Sequence, residues 1–215
     1  MSSDFAMAPA KAFQGQASAY YADAEKYMQT DWDGNIWPII SGFDFNVTLD
    51  FACGQGRNTA LLAKHATRLY AVDANPDAVE VARQRFRGKQ KCTIEVILNN
   101  GEDLSAIPSG AITALYSFDS MVHFEKRLME LYMPEFARVM KPGAKGFIHH
   151  SNFGRLSDNP DFKTHPGWRS NVEKDWFARC CWHNGLWPVK QVLLNWHVGC
   201  EFQDIDCLTV IYKPL

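Results

Sequence analysis

The feature that most constrains the fold is a regular alternation of short apolar runs with helical stretches, which begins at Asn46. One change from strand to helix is marked by Asn75 and Pro76, which directly follow an apolar run. Asn75 fits the cap of a helix, and Pro76 fits its first position. Strands that alternate with helices at this spacing are typical of a parallel sheet with right-handed crossovers. The pattern predicts an α/β fold whose first five strands cover residues 47–51, 68–73, 92–98, 111–118 and 145–150.

The alternation of strands and helices ends after the fifth strand. Residues 152–171 carry turn-forming Asn-Pro and Pro-Gly pairs and are predicted to be a loop, and a helix is expected over Val172–Asn184. Two further strands are predicted at Pro188–His197 and Asp204–Tyr212, joined by a turn through Gly199. The simplest arrangement is an antiparallel hairpin added to the parallel sheet.

Composition restricts the classes of function. The 215 residues carry 47% hydrophobic and 21% charged residues with a net charge of −2, which favours one globular domain without a strongly basic nucleic-acid surface. No apolar run is long enough to span a bilayer, and no secretory signal is expected. The six cysteines form no C-x-x-C pair and no zinc-type spacing, so we predict no metal site, no membrane partner and a cytoplasmic protein with reduced thiols.

The strongest local signal is the segment Leu49–Gly56, LDFACGQG, which lies between a predicted strand and a helix. Glycines there let the backbone approach a ligand, and the helix N-terminus presents free N–H groups. Asp73 ends the next strand, and the carboxyl edge of a parallel sheet is where ligands bind. Its carboxylate could accept both hydroxyl protons of a ribose.

Two other nucleotide-binding patterns fit this segment poorly. The dinucleotide fingerprint G-x-G-x-x-G requires a third glycine where Thr59 stands, and Asp50 is not part of that fingerprint. The P-loop pattern fails because no Gly-Lys-Ser/Thr follows.

The chain resembles the class I S-adenosylmethionine-dependent methyltransferases over residues 45–152. Four segments in the family's order carry the resemblance: LDFACGQG, YAVDANPDAV, NNGEDL and RVMKPGAKGFIHHSN. Ala52 and Ala144 stand where the family usually has glycine. Alanine is a mild change at the first of these positions only if the backbone there is not left-handed.

The resemblance implies a Rossmann-like seven-stranded sheet, mostly parallel with a C-terminal antiparallel hairpin and with helices on both faces. It implies one domain over 1–215, divided into an N-terminal arm with lid helices (1–40), a cofactor-binding core (45–152), an acceptor loop and helix (153–187) and the hairpin (188–215). The implied cofactor is S-adenosyl-L-methionine, which leaves as S-adenosyl-L-homocysteine. The residues implied to bind it are Asp50, Ala52, Cys53, Gly54, Gln55, Gly56, Asp73, Ala74, Asn100, Gly101, Glu102, Phe118 and, on the lid with Tyr20 and Trp32, Tyr21.

Candidate catalytic residues follow the fourth and fifth strands. A hydroxyl acceptor must lose its proton, so a general base helps. We predict that His149 or His150 is the base and that Asp119 is the orienting partner. Alternation along the strand places the two histidines on opposite faces, so at most one of them faces the acceptor. His123 is expected to be structural, and Trp168 is a candidate for stacking on the acceptor.

The acceptor is less constrained. The chain lacks the N/D-P-P-Y/F tetrapeptide that base- and amide-methylating enzymes of this family carry after strand four, and SFDS stands there instead. This favours a small-molecule acceptor, most readily a sugar or another hydroxyl compound. N-methylation of a small amine, a nucleotide-binding oxidoreductase and a catalytically silent cofactor-binding module stay open as alternatives.

Overall fold

A single seven-stranded sheet organises the chain. The computed structural model describes residues 4–14, 17–88, 91–195 and 201–215. The sheet has the order β3-β2-β1-β4-β5-β7-β6; β1 to β5 pair in parallel, and β7 pairs antiparallel with both of its neighbours. The strands are β1 (Val47–Phe51), β2 (Arg68–Asp73), β3 (Thr93–Leu98), β4 (Ile112–Ser117), β5 (Met140–Ser151), β6 (Trp187–Leu194) and β7 (Asp206–Tyr212). The predicted fold is confirmed.

Helices cover both faces of this sheet. One face packs on helices around Phe136 and Phe177, and the other packs on helices around Trp32 and Leu62. The helices are α1 (Ala8–Phe13), α2 (Ala17–Asp31), α3 (Trp37–Ile40), α4 (Arg57–Leu62), α5 (Pro76–Arg85), α6 (Lys126–Val139) and α7 (Lys174–His183), with a π-helical turn at Trp32–Ile36 that joins α2 to α3. Within the described residues, no helix is long and apolar enough to cross a membrane.

Local signals placed α5 correctly. The side chain of Asn75 accepts hydrogen bonds from the backbone N–H groups of Asp77 and Ala78, at 3.0 and 3.4 Å. Pro76 occupies the first helical position, where a missing N–H has no cost. The cap satisfies two of the N–H groups that a helix start leaves without partners.

The fifth strand, predicted to begin at residue 145, begins at Met140, so the turn-forming segment 141–143 (Lys-Pro-Gly) belongs to β5. The backbone N–H of Gly143 donates to the carbonyl of Lys213 at 2.8 Å, which holds this segment in the sheet beyond the end of β7. Gly143 has φ +86°, and the β4–β5 pairing shifts its register between Ile112 and Ala114. The turn residues therefore form an irregularity within a longer strand. The predicted hairpin turn through Gly199 lies outside the described residues.

The predicted N-terminal arm, residues 1–40, begins with a short helix: residues 8–13 form α1. The segment just before α1 packs closely on the turn after β3: a Cβ on Gly101 would lie 2.5 Å from the Sδ of Met7. Tertiary contact, rather than helix propensity, stabilises so short a helix.

Candidate functional site

A cavity lies at the carboxyl edge of β1 to β4, where the sequence predicts a ligand. It encloses about 910 Å³ of space that is partly open to solvent. Its walls come from the turns that follow these strands, from α1 and α2, and from α6. The lining residues are Ala6, Pro9, Ala10, Phe13, Tyr21, Glu25, Phe51, Ala52, Cys53, Gly54, Gln55, Arg57, Asn58, Val72, Asp73, Ala74, Asn75, Asn99, Gly101, Phe118, Asp119, Ser120, His123, Phe124 and Tyr132.

The turn after β1 approaches the cavity with its backbone. Gly54 and Gly56 have φ values of +55° and +85°, which favour glycine. A Cβ on Gly54 would lie 2.9 Å from the ring of Tyr21, and one on Gly56 would lie 2.6 Å from the ring of Phe86. Glycine is therefore required here both by backbone angle and by space. Gly56 itself is absent from the cavity lining and serves as the N-cap of α4.

Ala52 departs from the sequence-based expectation. Its backbone is left-handed, with φ +56°, so the condition for a mild glycine-to-alanine change is not met. Left-handed angles cost a residue with a Cβ about 1–2 kcal/mol. The segment that follows β4 holds this strained turn in place, because the Ser120 hydroxyl donates a hydrogen bond to the Ala52 carbonyl at 2.8 Å. Strain of this kind is common beside ligand sites.

An Ala52→Gly variant is expected to raise the free energy of unfolding by about 0.5–1 kcal/mol. Relief of the left-handed strain outweighs the greater freedom of glycine in the unfolded chain. Urea unfolding would measure the change. Ala60→Gly, which places glycine inside α4, is the control and is expected to lower the stability by about 1 kcal/mol. A loss of stability in Ala52→Gly similar to that of the control would contradict this account.

Asp73 lies at the centre of the cavity edge. One carboxylate oxygen accepts the backbone N–H of Gly54 at 2.7 Å, and the other accepts that of Asn75 at 2.8 Å. Burial raises the pKa of Asp73, and backbone hydrogen bonds from Asn75, Gly54 and Ala74 oppose that rise. A carboxylate has about four acceptor positions, so these backbone donors do not exhaust its capacity to accept hydroxyls of a ligand.

Asp50 lies beneath the turn and not on the cavity wall. It is fully buried, and its Oδ2 accepts the hydroxyl of Thr59 at 2.6 Å. Burial raises the pKa of Asp50 to about 7, although the Thr59 bond opposes this. Thr59 thus supports Asp50 at the position where a dinucleotide fingerprint has its third glycine.

The predicted segment after β3 lines the cavity only in part. Asn99 lines the cavity, its side-chain carbonyl accepts the hydroxyl of Tyr132 at 2.9 Å, and Gly101 lines the cavity beside it. Asn100 instead caps the turn, accepting the N–H of Glu102 at 2.8 Å, and neither Asn100 nor Glu102 lines the cavity. Asn99 directly follows the last residue of β3, and this position at the carboxyl end of a strand could have predicted its place in the site.

Four other predicted cofactor residues line the cavity as expected: Cys53, Gln55, Ala74 and Phe118. The thiol of Cys53 is buried, which raises its pKa well above the ordinary value.

The lid residues also divide. Tyr21 lies against Gly54 and covers the cavity. Burial, with Asp73 and Cys53 nearby, raises the pKa of Tyr21. Trp32 is instead a buried core residue, and its ring centroid lies 5.6 Å from that of Trp37. The side chain of Tyr20 lies outside the described residues.

Asp119 contributes a buried ion pair to the wall. Its Oδ2 lies 2.7 Å from Nη2 of Arg57, a cavity residue that the sequence analysis missed although it directly follows CGQG. Burial alone would raise the pKa of Asp119, but the charge of Arg57 and the nearby His149 ring outweigh it and lower the pKa. Asp119 is therefore held as a carboxylate by Arg57. Its orienting contact with a histidine uses its backbone: the N–H donates to Nδ1 of His149 at 3.1 Å.

The structure does not bring His149 or His150 to the cavity wall. Both are fully buried. His149 packs on Phe118 with its Nε2 3.4 Å from Oδ2 of Asp206. His150 stacks on Phe177 on the other face, and its nitrogens lie 2.8 Å from the Ser151 carbonyl and the Thr209 hydroxyl. The alternation across the strand is as predicted, but both rings point into packed interior.

His123 is the histidine that does line the cavity. Its Nδ1 lies 2.7 Å from the backbone carbonyl of Trp168. Its ring lies 5.0 Å from that of Phe13 and 5.9 Å from that of Phe162. The sequence predicted a structural role for His123 and contained no signal for Phe13, because segments distant in the chain bring these residues together.

Comparison with known proteins gives the same fold. A family model described as a methyltransferase domain matches residues 48–143. The structure is similar to geranyl diphosphate C-methyltransferase from Streptomyces coelicolor A3(2), solved with Mg²⁺, geranyl diphosphate and S-adenosyl-L-homocysteine, at 12% identity and a TM-score of 0.73; the match covers 99% of this chain and 100% of that chain. No curated protein matches the sequence significantly.

Two further structures are similar along their length. One is an S-adenosylmethionine-dependent methyltransferase from Leishmania major, at 15% identity and a TM-score of 0.73, over 96% of this chain and 81% of that chain. The other comes from a complex of the Trm112 methyltransferase activator with a methyltransferase in Haloferax volcanii, at 13% identity and a TM-score of 0.66, over the whole of both chains. At these identities the structural likeness establishes the fold alone.

Proposed function

We propose that the chain is a class I S-adenosylmethionine-dependent methyltransferase and that it transfers a methyl group to a hydroxyl of a small molecule. S-adenosyl-L-methionine supplies an activated methyl group as a sulfonium and leaves as S-adenosyl-L-homocysteine. The proposal treats residues 1–215 as one catalytic domain. Five cysteines within the described residues are free, buried thiols, which supports a reducing compartment such as the cytoplasm.

The cavity offers the groups that this cofactor needs. Asp73 would accept ribose hydroxyls with the acceptor capacity that its backbone donors Asn75, Gly54 and Ala74 leave open. Ala74, Phe124 and Tyr132 supply apolar and aromatic wall for a planar base. The open carboxylate of Asp73 in this cavity is the observation that carries the cofactor assignment.

The charged part of the cavity lining suits the amino-acid part of the cofactor. Glu25, Arg57 and Asp119 bring both signs of charge to the wall, which matches a group that carries an ammonium and a carboxylate. Arg57 is already paired with Asp119, so the wall is preorganised rather than assembled by the ligand.

The enclosure of the site supports a small acceptor. The segment before α1 and Tyr21 pack directly on the turns that carry Gly101 and Gly54. The aromatic rings of Phe13, Phe162 and Trp168 pack together around His123 at this wall. Catalysis in such a pocket comes largely from positioning the acceptor and excluding water.

Two measurements test this proposal. We expect S-adenosyl-L-homocysteine to raise the melting temperature of the protein and NAD⁺ to leave it unchanged, because ligand binding stabilises only the folded state that recognises it. We then expect release of S-adenosyl-L-homocysteine from S-adenosyl-L-methionine with a panel of phenols and sugars, and less with matched amines. Stabilisation by NAD⁺ but not by S-adenosyl-L-homocysteine would contradict the cofactor assignment, and preference for amines would contradict the hydroxyl assignment.

A further inference from the structure

A second cavity adjoins the first one. It encloses about 740 Å³ of partly open space, and its wall shares Pro9 and His123 with the wall of the cofactor cavity. Apolar groups dominate it, with three charged side chains among them. The lining residues are Phe5, Ala8, Pro9, His123, Glu125, Leu128, Pro160, Asp161, Phe162 and Lys163.

The ring of His123 lies at the border of the two cavities in a fixed tautomer. The carbonyl of Trp168 has no proton to give, so the 2.7 Å contact requires that Nδ1 of His123 carries the proton. Nε2 is then the nitrogen with the free lone pair. This atom is buried and has no hydrogen-bond partner among the described residues, which is unfavourable for a polar atom unless a ligand completes it.

The surroundings of His123 keep this orientation. Phe13 and Phe162 flank the ring. Trp168, whose carbonyl receives Nδ1–H, has φ +57°, a strained angle that the neighbouring Arg169–Asp206 ion pair helps to hold. Burial lowers the pKa of His123 to about 4, so the ring is neutral near pH 7 and its lone pair is available.

We propose that the second cavity binds the methyl acceptor, an apolar ring compound that bears a hydroxyl, and that Nε2 of His123 accepts the proton of this hydroxyl. The inference rests on the proposed methyl transfer and names its acceptor class and its base. The acceptor O–H bond breaks and its proton passes to Nε2, while the acceptor oxygen forms a bond to the methyl carbon. The electron pair of the broken carbon–sulfur bond remains on sulfur, and the imidazolium later returns its proton to water.

Three variants separate the two parts of the proposal. Ala8→Phe adds a ring at a residue that lines only the second cavity, and Lys11→Phe adds the same ring at an exposed position of the same helix. His123→Asn places an amide N–H near the position of Nδ1, where it can donate to the Trp168 carbonyl, but removes the Nε2 acceptor. Binding of S-adenosyl-L-homocysteine, measured by calorimetry, should change less than about threefold in Ala8→Phe and Lys11→Phe, because neither residue lines the cofactor cavity. For His123→Asn, which changes a residue of that wall, methylation is compared with wild type at saturating S-adenosyl-L-methionine.

The probe is 2-naphthol, a fluorescent apolar phenol, added to protein saturated with S-adenosyl-L-homocysteine. We expect wild type and Lys11→Phe to bind it, and Ala8→Phe to bind it at least about tenfold more weakly. With S-adenosyl-L-methionine instead, His123→Asn should slow methylation of 2-naphthol by about a hundredfold or more, which is the usual contribution of a general base. Nitrogen-15 NMR of wild type should show a non-protonated Nε2 in His123 that shifts when 2-naphthol binds.

Other outcomes overturn the proposal. Absence of 2-naphthol binding or methylation by wild type would overturn the acceptor class, and equal binding by Ala8→Phe would overturn the site. A protonated Nε2, or near-normal methylation by His123→Asn, would overturn the base. Loss of S-adenosyl-L-homocysteine binding by wild type itself would instead contradict the proposed function, so the two failures are distinguishable.

Discussion

Replacement of Asp73 by alanine is expected to weaken the binding of S-adenosyl-L-homocysteine by at least about a hundredfold, or roughly 3 kcal/mol. Hydrogen bonds to a charged acceptor each contribute about 1.5–3 kcal/mol, and the variant loses those to both ribose hydroxyls. It also leaves the backbone N–H groups of Gly54 and Asn75 without their acceptor, so the turn loses its tie to β2. Calorimetric titration measures the change directly.

Asp77→Ala is the matched control for this variant. It removes the same charge from the exposed first turn of α5, four residues along the chain. Only the weak favourable interaction of an acidic side chain with the helix N-terminus is lost, about 0.3–1 kcal/mol of stability, and cofactor affinity should be unchanged. Asp73→Ala with affinity within about threefold of wild type would show that Asp73 caps a helix turn and does not hold the cofactor.

Replacement of Arg169 by methionine is expected to lower the free energy of unfolding by about 3–5 kcal/mol, because it leaves a buried carboxylate without its main partner. Asp206 is fully buried, and Nε and Nη2 of Arg169 lie 2.7 and 2.6 Å from its two oxygens. Burial alone would raise the pKa of Asp206, but His149 and Arg169 outweigh it and hold the pKa well below its usual range. This stabilisation is therefore complete above the ordinary aspartate pKa of about 4 and is lost as the pH falls below it.

Two further variants sharpen the measurement. Arg155→Met removes an exposed arginine from the same loop and should cost less than about 1 kcal/mol. The double variant Arg169→Met with Asp206→Leu should be more stable than Arg169→Met alone, because no unpaired carboxylate is buried. Denaturant unfolding at neutral pH compares them, and equal costs for Arg169→Met and Arg155→Met would refute the assigned importance of the buried pair.

The sequence predicted the parts of the site that are local in the chain. Asp73, Gly54 and Gly56 follow strands directly, and in a parallel sheet those positions meet at one edge. The two strands that carry them were predicted with their observed bounds, because apolar runs and turn residues limit them sharply.

The acceptor side depends on non-local packing, and the sequence could not predict it. Phe13, His123 and Trp168 come from segments far apart in the chain and meet in one aromatic cluster. Alternation along β5 separated His149 from His150 correctly, but period alone does not say whether a side chain meets a cavity or a neighbouring element. Both rings are covered, the first by the Asp206 network and the second by α7.

The shared wall at Pro9 has a thermodynamic consequence. Because α1 borders both cavities, a ligand in either one restrains the same six-residue helix. The first ligand to bind then bears the entropic cost of restraining that helix further, and the second binds to a wall that is already restrained. We therefore expect positive coupling between the two ligands, and linkage requires it to be reciprocal: the factor by which S-adenosyl-L-homocysteine tightens acceptor binding equals the factor by which the acceptor tightens S-adenosyl-L-homocysteine binding.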